Sequence, residues 1–121
     1  MAENSCTDFK KSMPFEKRLS ESTKVLEKYP ERVPIICQRS IHCKDIPIIR
    51  KMKYLVPIHF SIGQFIHIIR KRSDIKPEQA IFVFVNNNIP PNSDSILTVY
   101  DKYKDKDGFL YITYSGENTF G

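Results

Sequence analysis

Few side chains in this sequence could serve as nucleophiles, bases or metal ligands, and their spacing argues against each use. The cysteines are Cys6, Cys37 and Cys43, an odd number with no C-x-x-C pair. Neither a disulfide framework nor a structural zinc site is expected from that pattern. His42 lies beside Cys43, but the other histidines, His59 and His67, stand far from a ligand spacing. Cys37 falls inside the apolar string VPIICQ with no base partner, the setting of a small core residue. The sequence has no G-x-S-x-G, no glycine-rich phosphate loop and no metal-ligand set, so no catalysis is expected of it.

The chain ends in Thr119, Phe120 and Gly121. A terminal carboxylate is a poor electrophile until it becomes an acyl adenylate or a thioester. Enzymes that activate such a carboxyl draw the tail through a narrow channel, where a residue without Cβ fits. Gly121 has no Cβ, and Phe120 would be the last side chain before it in such a channel. Alone the signal is weak, since about 7% of residues are glycine.

The elements around these residues follow from periodicity. Phe15, Leu19, Ser22, Leu26 and Tyr29 recur at helical spacing with Val25 beside them, between Pro14 and Pro30. They predict a helix of about four turns, polar on its outer side, with Pro14 at its first position. VPIICQ (33–38) reads as a central strand, apolar on both faces, with an irregular start at Pro34. KYLVPI (53–58) reads as an edge strand or strand end because of Pro57. Ser61 and Gln64 form a capping box, and Phe60 and Phe65 a hydrophobic staple, opening a helix over 61–73 that closes on Arg70, Lys71 and Arg72. IFVFV (81–85) reads as a buried central strand. NNNIPPNSD is a loop, Ile96 to Tyr103 a short helix, Asp107-Gly108 a turn, and FLYITY (109–114) the last strand. Residues 1–12 are polar and without period, a short helix or a frayed arm.

Two strands, a helix and two more strands point to an α+β fold, a four-stranded mixed sheet with a helix across one face. That is the ubiquitin-like β-grasp, here with an N-terminal helical extension. The divisions expected are the extension at 1–29, the β-grasp domain at 30–115 and a flexible tail at 116–121. The 121 residues suffice for one domain with a core, and the 40% hydrophobic content is too high for a disordered chain. No apolar run reaches the ~18 residues of a membrane span, and residues 1–11 lack a signal-peptide core, so a cytoplasmic protein is expected. There are 19 Lys and Arg against 14 Asp and Glu, a net charge of +5, which favours acidic partners without choosing among them. The basic residues are scattered and no nucleic-acid motif is present, so no nucleic-acid partner is expected.

The strings PFEKR (14–18), EKYPERVPIIC (27–37), KMKYLVP (51–57), FSIGQFIHIIRKR (60–72), QAIFVFVNNNIPP (79–91) and DGFLYITYSGENTFG (107–121) carry a resemblance. In their order and spacing the chain resembles the autophagy ubiquitin-like modifiers, the GABARAP and microtubule-associated light chain 3 family. PFEKR and ERVP lean towards GABARAP. The resemblance implies that the Gly121 carboxyl is taken up by an activating enzyme and passed as a thioester to a conjugating enzyme. It is then joined to the amine of phosphatidylethanolamine on autophagosomal membranes. No cofactor is implied beyond that covalent lipid. A delipidating cysteine protease, which in the family also trims residues beyond the glycine, is a further implied partner. Nothing follows Gly121 here; either the gene encodes the glycine as the end or the chain is already in its mature form.

The resemblance also implies a groove for cargo-receptor peptides carrying an aromatic residue, two spacers and an aliphatic residue. The peptide would add as a strand to the KYLVP edge. The aromatic pocket would comprise Glu21, Val25, Pro34, Ile36, Lys53, Leu55 and Phe109. The aliphatic pocket would comprise Tyr54, Val56, Pro57, Phe60, Phe65 and Ile68. Arg32, Lys51, Lys53 and Arg72 would receive acidic flanking residues. By spacing alone, Ile36, Leu55 and Phe65 read as core, and Arg70-Lys71-Arg72 as a helix end. The chain departs from the family at Met52, where a cation is usual. It departs again at Ile46 to Arg50, an apolar-basic connection one residue longer than in GABARAP, and at Asn88. The alternative is an unconjugated trafficking or microtubule adaptor using the same groove, with Lys10, Lys11, Lys17 and Arg18 against acidic tubulin tails. Fold does not choose between the two.

Overall fold

The computed structural model describes residues 9–40, 46–49 and 51–116. Cys6, Cys43, Phe120 and Gly121 lie outside the described residues. Two helices lead the chain, α1 (Phe9–Ser12) and α2 (Phe15–Lys28). The strand β1 (Arg32–Arg39) and the strand β2 (Lys53–Pro57) follow, then α3 (Ile62–Lys71), β3 (Phe82–Phe84), α4 (Ile96–Tyr103) and β4 (Leu110–Ser115). The sheet order is β2-β1-β4-β3. β1 runs antiparallel to β2 and parallel to β4, and β3 is antiparallel to β4.

β1 is central, flanked by β2 and β4, and both of its faces are covered. Val33, Ile35 and Cys37 point into a core shared with Phe65 and Ile69 of α3 and Ile96 and Val99 of α4. Ile36 points the other way, against Phe9 and Phe109. Pro34 is tolerated inside this strand for a geometric reason. Cys37 donates its N–H to Met52 O on the β2 side, so the alternate position 34 faces the β4 side. Pairing with β4 begins only at Ile35, so the missing N–H breaks no ladder bond.

α3 is built as its sequence demands. Ser61 Oγ accepts from Gln64 N at 3.1 Å, and Gln64 Oε1 accepts from Ser61 N at 2.8 Å. Ile62, Phe65 and Ile69 are fully buried on its inner face. Arg70 bonds the carbonyls of Lys76 and Gln79, holding the following loop to the helix end.

α2 departs from its pattern. Phe15 and Leu19 are each 39% exposed, whereas Arg18 and Ser22 are buried. Side chains three and four apart share a face, so the inward stripe is Arg18, Ser22 and Val25 rather than Phe15 and Leu19. The reason is a buried carboxylate described below. Pro14 sits one residue before the helix, its carbonyl accepting from Lys17 N and Arg18 N.

β3 is a second correction. It lies at the sheet edge, not the centre, and spans three residues. Val83 and Phe84 are buried all the same, at 2% and 4% exposed, and Phe82 is partly buried. Residues apolar on both faces require cover on both faces, not a strand on each side. β3 ends in a tight turn with Asn86 and Asn87 at positive φ, a conformation Asn tolerates. In the connection before β2, Ile46 and Ile49 are core residues, and Ile49 N donates to the Tyr114 hydroxyl at 2.8 Å.

Candidate peptide-binding groove

A groove of about 710 Å³ runs along β2 between α2 and α3. It joins residues far apart in sequence: Glu21 and Val25 from α2, Pro34 from β1, Lys53 to Pro57 from β2, Ile68 from α3, and Phe109. Arg32, Lys51 and Arg72 stand at its rim. Every sequence-predicted pocket and flank residue lines it except Ile36, Phe60 and Phe65. Ile36 and Phe65 have no exposed surface. Ile36 lies behind the groove under Phe9 and Phe109. Phe65 lies beneath it, edge-on to the Tyr54 ring at 5.6 Å. Phe60 packs against the main core from the side. Lys71 also lines the groove and was not foreseen. Its signal was present: it is three residues past Ile68, hence on the same helix face.

The edge of β2 is open on the groove side. Cys37 pairs with Met52, and the register then makes Tyr54 and Val56 the inward-bonded residues. The N–H and C=O groups of Lys53 and Leu55 therefore face outward and can take an added strand. Pro57 has no N–H, and its carbonyl already accepts from Phe60 N at 3.0 Å. The edge thus presents a short, bounded ladder, which limits indiscriminate pairing.

The electrostatics are uneven along the groove. At one end Lys53 Nζ sits 2.7 Å from Glu21 Oε2 and 5.1 Å from the centre of the Phe9 ring. Both charged groups are partly exposed, so this bridge contributes only about 0–1 kcal/mol and opens readily. At the other end the Lys51 ammonium lies 5.5 Å from the centre of the Tyr54 ring. Burial pushes the Tyr54 hydroxyl up to about 12, with nearby Cys37 adding to the shift and Arg72 opposing it. Burial likewise raises the Cys37 thiol, so it is inert as a nucleophile. Lys51, Lys71, Arg72 and Arg32 make one rim basic, suited to acidic side chains.

A mixed four-stranded sheet crossed by a helix, here with one edge strand open to a cation-rimmed groove, defines a ubiquitin-like protein. A model of the family described as "Autophagy protein Atg8 ubiquitin like" matches residues 17–121. Autophagy-related protein 8 of Vanderwaltozyma polyspora is 53% identical over 115 residues, covering 95% of this chain and 97% of that protein. The crystal structure of Trypanosoma brucei ATG8 superposes with a TM-score of 0.87 at 45% identity, covering 94% of this chain and 97% of that one. Plasmodium falciparum Atg8, solved in complex with a Plasmodium falciparum Atg3 peptide, gives 0.83 at 35% identity, covering 93% and 98%. The chain belongs to the Atg8 family of autophagy ubiquitin-like proteins, and its fold is the ubiquitin-like one with an N-terminal helical part.

Proposed function

We propose that this chain is an autophagy modifier joined through the Gly121 carboxyl to the amine of phosphatidylethanolamine, and that its groove recruits cargo-receptor peptides of the aromatic-x-x-aliphatic type. The observation that carries the peptide half is the outward-facing backbone of Lys53 and Leu55 beside an apolar groove with a basic rim. A relative of the same fold bound to an Atg3 peptide supports it. The conjugation half rests on a family match that runs to Gly121. An activating enzyme uses ATP to convert the carboxyl to an acyl adenylate with release of pyrophosphate, its own thiol displaces AMP, the thioester is exchanged onto a conjugating-enzyme thiol, and the lipid amine displaces that thiol to leave an amide. Phosphatidylethanolamine brings two acyl chains, and two hydrophobic signals are what stable anchoring requires. Among the described residues no helix is long enough and apolar enough to cross a membrane. The conjugate would therefore carry the protein from the cytoplasm to the autophagosomal membrane.

The test is the intact mass of the protein recovered from membranes of starved source cells. A gain equal to the lipid, mapped to the peptide ending at Gly121 and abolished by Gly121→Ala, is expected. An unmodified, wholly soluble protein would overturn conjugation and leave an adaptor that uses the groove alone. For the peptide half, Leu55→Ala is expected to weaken an aromatic-x-x-aliphatic peptide by about 1 kcal/mol or more by calorimetry. Unchanged affinity would refute the pocket assignment.

A further inference from the structure

Two walls of the aromatic end of the groove, α2 and the segment that carries Phe109, meet at one buried residue outside it. Asp107 has no exposed surface. Its Oδ2 accepts from Arg18 NH1 at 2.6 Å and from the Tyr111 hydroxyl. Its Oδ1 accepts from Phe109 N at 2.9 Å. Its main-chain oxygen accepts from Ser22 Oγ at 2.5 Å. The close approach of Ser22 depends on Gly108, where a Cβ would stand 2.3 Å from the serine oxygen.

We infer that Asp107 is a positioning residue for the aromatic subsite, setting its width by fixing α2 and Phe109 relative to each other. This rests on the groove reading above. Arg18 and Ser22 are one turn apart on α2, and Glu21 and Val25, in the adjacent row, are the groove wall. Phe109 faces them from the other side. Among the described residues the direct ion pair across this end, Glu21 to Lys53, is partly exposed and too weak to hold a helix in place. Asp107 instead engages a guanidinium, a phenol, a backbone N–H and a serine hydroxyl in a dry setting, where charge-assisted bonds are strongest. The aliphatic subsite is walled by β2 and α3, to which Asp107 makes no hydrogen bond among the described residues. Its effect should thus fall on one half of a bound peptide.

The experiment is a set of calorimetric or anisotropy titrations of the full chain and of Asp107→Asn with three peptides. One carries Trp-x-x-Leu, one has alanine for the tryptophan, and one has alanine for the leucine. Expected is a loss of about tenfold for the two peptides that keep tryptophan, and less than about twofold for the one that lacks it, the signature of direct coupling. A loss shared equally by all three, or no loss, would overturn the inference, since a merely stabilising residue cannot tell the two ends of the peptide apart. If Asp107→Asn does not fold, Ser22→Ala decides instead. It removes a single bond to Asp107 and should show the same selectivity at about threefold, and uniform or absent loss refutes the inference. No binding of Trp-x-x-Leu by the unsubstituted chain would overturn the groove reading itself, an outcome distinct from the others.

Discussion

α3 and α2 lie on opposite faces of one sheet and are held there by different chemistry. α3 is seated by apolar burial: Ile62, Phe65 and Ile69 have no exposed surface and meet Val33, Ile35 and Tyr54 in the main core. α2 leaves Phe15 and Leu19 outside and is seated by Arg18 and Ser22 on Asp107. Apolar contact is non-directional and tolerates small shifts. A buried ion pair with hydrogen bonds is directional, and a lost partner leaves an uncompensated charge. The groove lies between a face that is packed and a face that is aligned. In the proposed peptide site, the aliphatic end would inherit the first property and the aromatic end the second.

The largest expected effect tests the packed face. Phe65→Ala removes a fully buried ring and should destabilise the protein by about 3–5 kcal/mol in urea unfolding. A loss under 1 kcal/mol would mean that apolar burial does not hold α3. Next comes the aligned face. Arg18→Ala leaves the Asp107 carboxylate buried without its cation and should cost about 3 kcal/mol, the low end for such a pair because Arg18 retains a little solvent contact. Arg18→Met combined with Asp107→Asn should cost less than the two changes added, with a coupling of at least 1 kcal/mol. Additive losses would show the two residues to be independent.

The smallest effect concerns pH. Burial alone would raise the Asp105 carboxyl, but Lys10 at 2.7 Å and hydrogen bonding to Asp107 outweigh it and lower the pKa. A carboxyl lowered on folding contributes stability above its unfolded pKa and loses it as pH falls through the folded one. Lys10→Ala should therefore reduce stability at pH 7 by well under 1 kcal/mol, since the pair is partly exposed. The difference from the unsubstituted protein should fade as pH drops through the carboxylate range. A constant difference from pH 7 to pH 3 would rule out the ion pair as its source.

The legibility of the two faces in the sequence differs for the same reason. The capping box and the Ile62, Phe65, Ile69 stripe are local patterns, and the helix they predict is present within two residues at either end. The edge status of β2 was readable from Pro57, and the cover on both faces of β1 from its apolar run. In α2 the periodic apolar residues suggested the wrong stripe. Arg18 and Asp107 are 89 residues apart, and nothing near Arg18 reveals that its partner will be buried. β3 was misplaced because an apolar run reports burial, not the number of neighbouring strands. Within the Ile46 to Arg50 departure, Ile46 and Ile49 are core residues and Ile48 is exposed.

The candidate site divides along the same line. Its residue types, above all Lys53, Leu55 and Phe109, follow from sequence strings that resemble a family. Which of them open into the groove does not. Ile36 and Phe65 are covered by Phe9 and Tyr54, side chains contributed by other elements, while Lys71 joins the groove lining with Ile68 of the same helix. The sequence alone determined the elements, the cap, the edge strand and the family, because each is written in residues within a few positions of one another. The side of α2 that turns inward, the neighbours of β3 and the depth of the aromatic end were decided only by the tertiary structure, because each depends on a contact between residues that the chain separates and folding brings together.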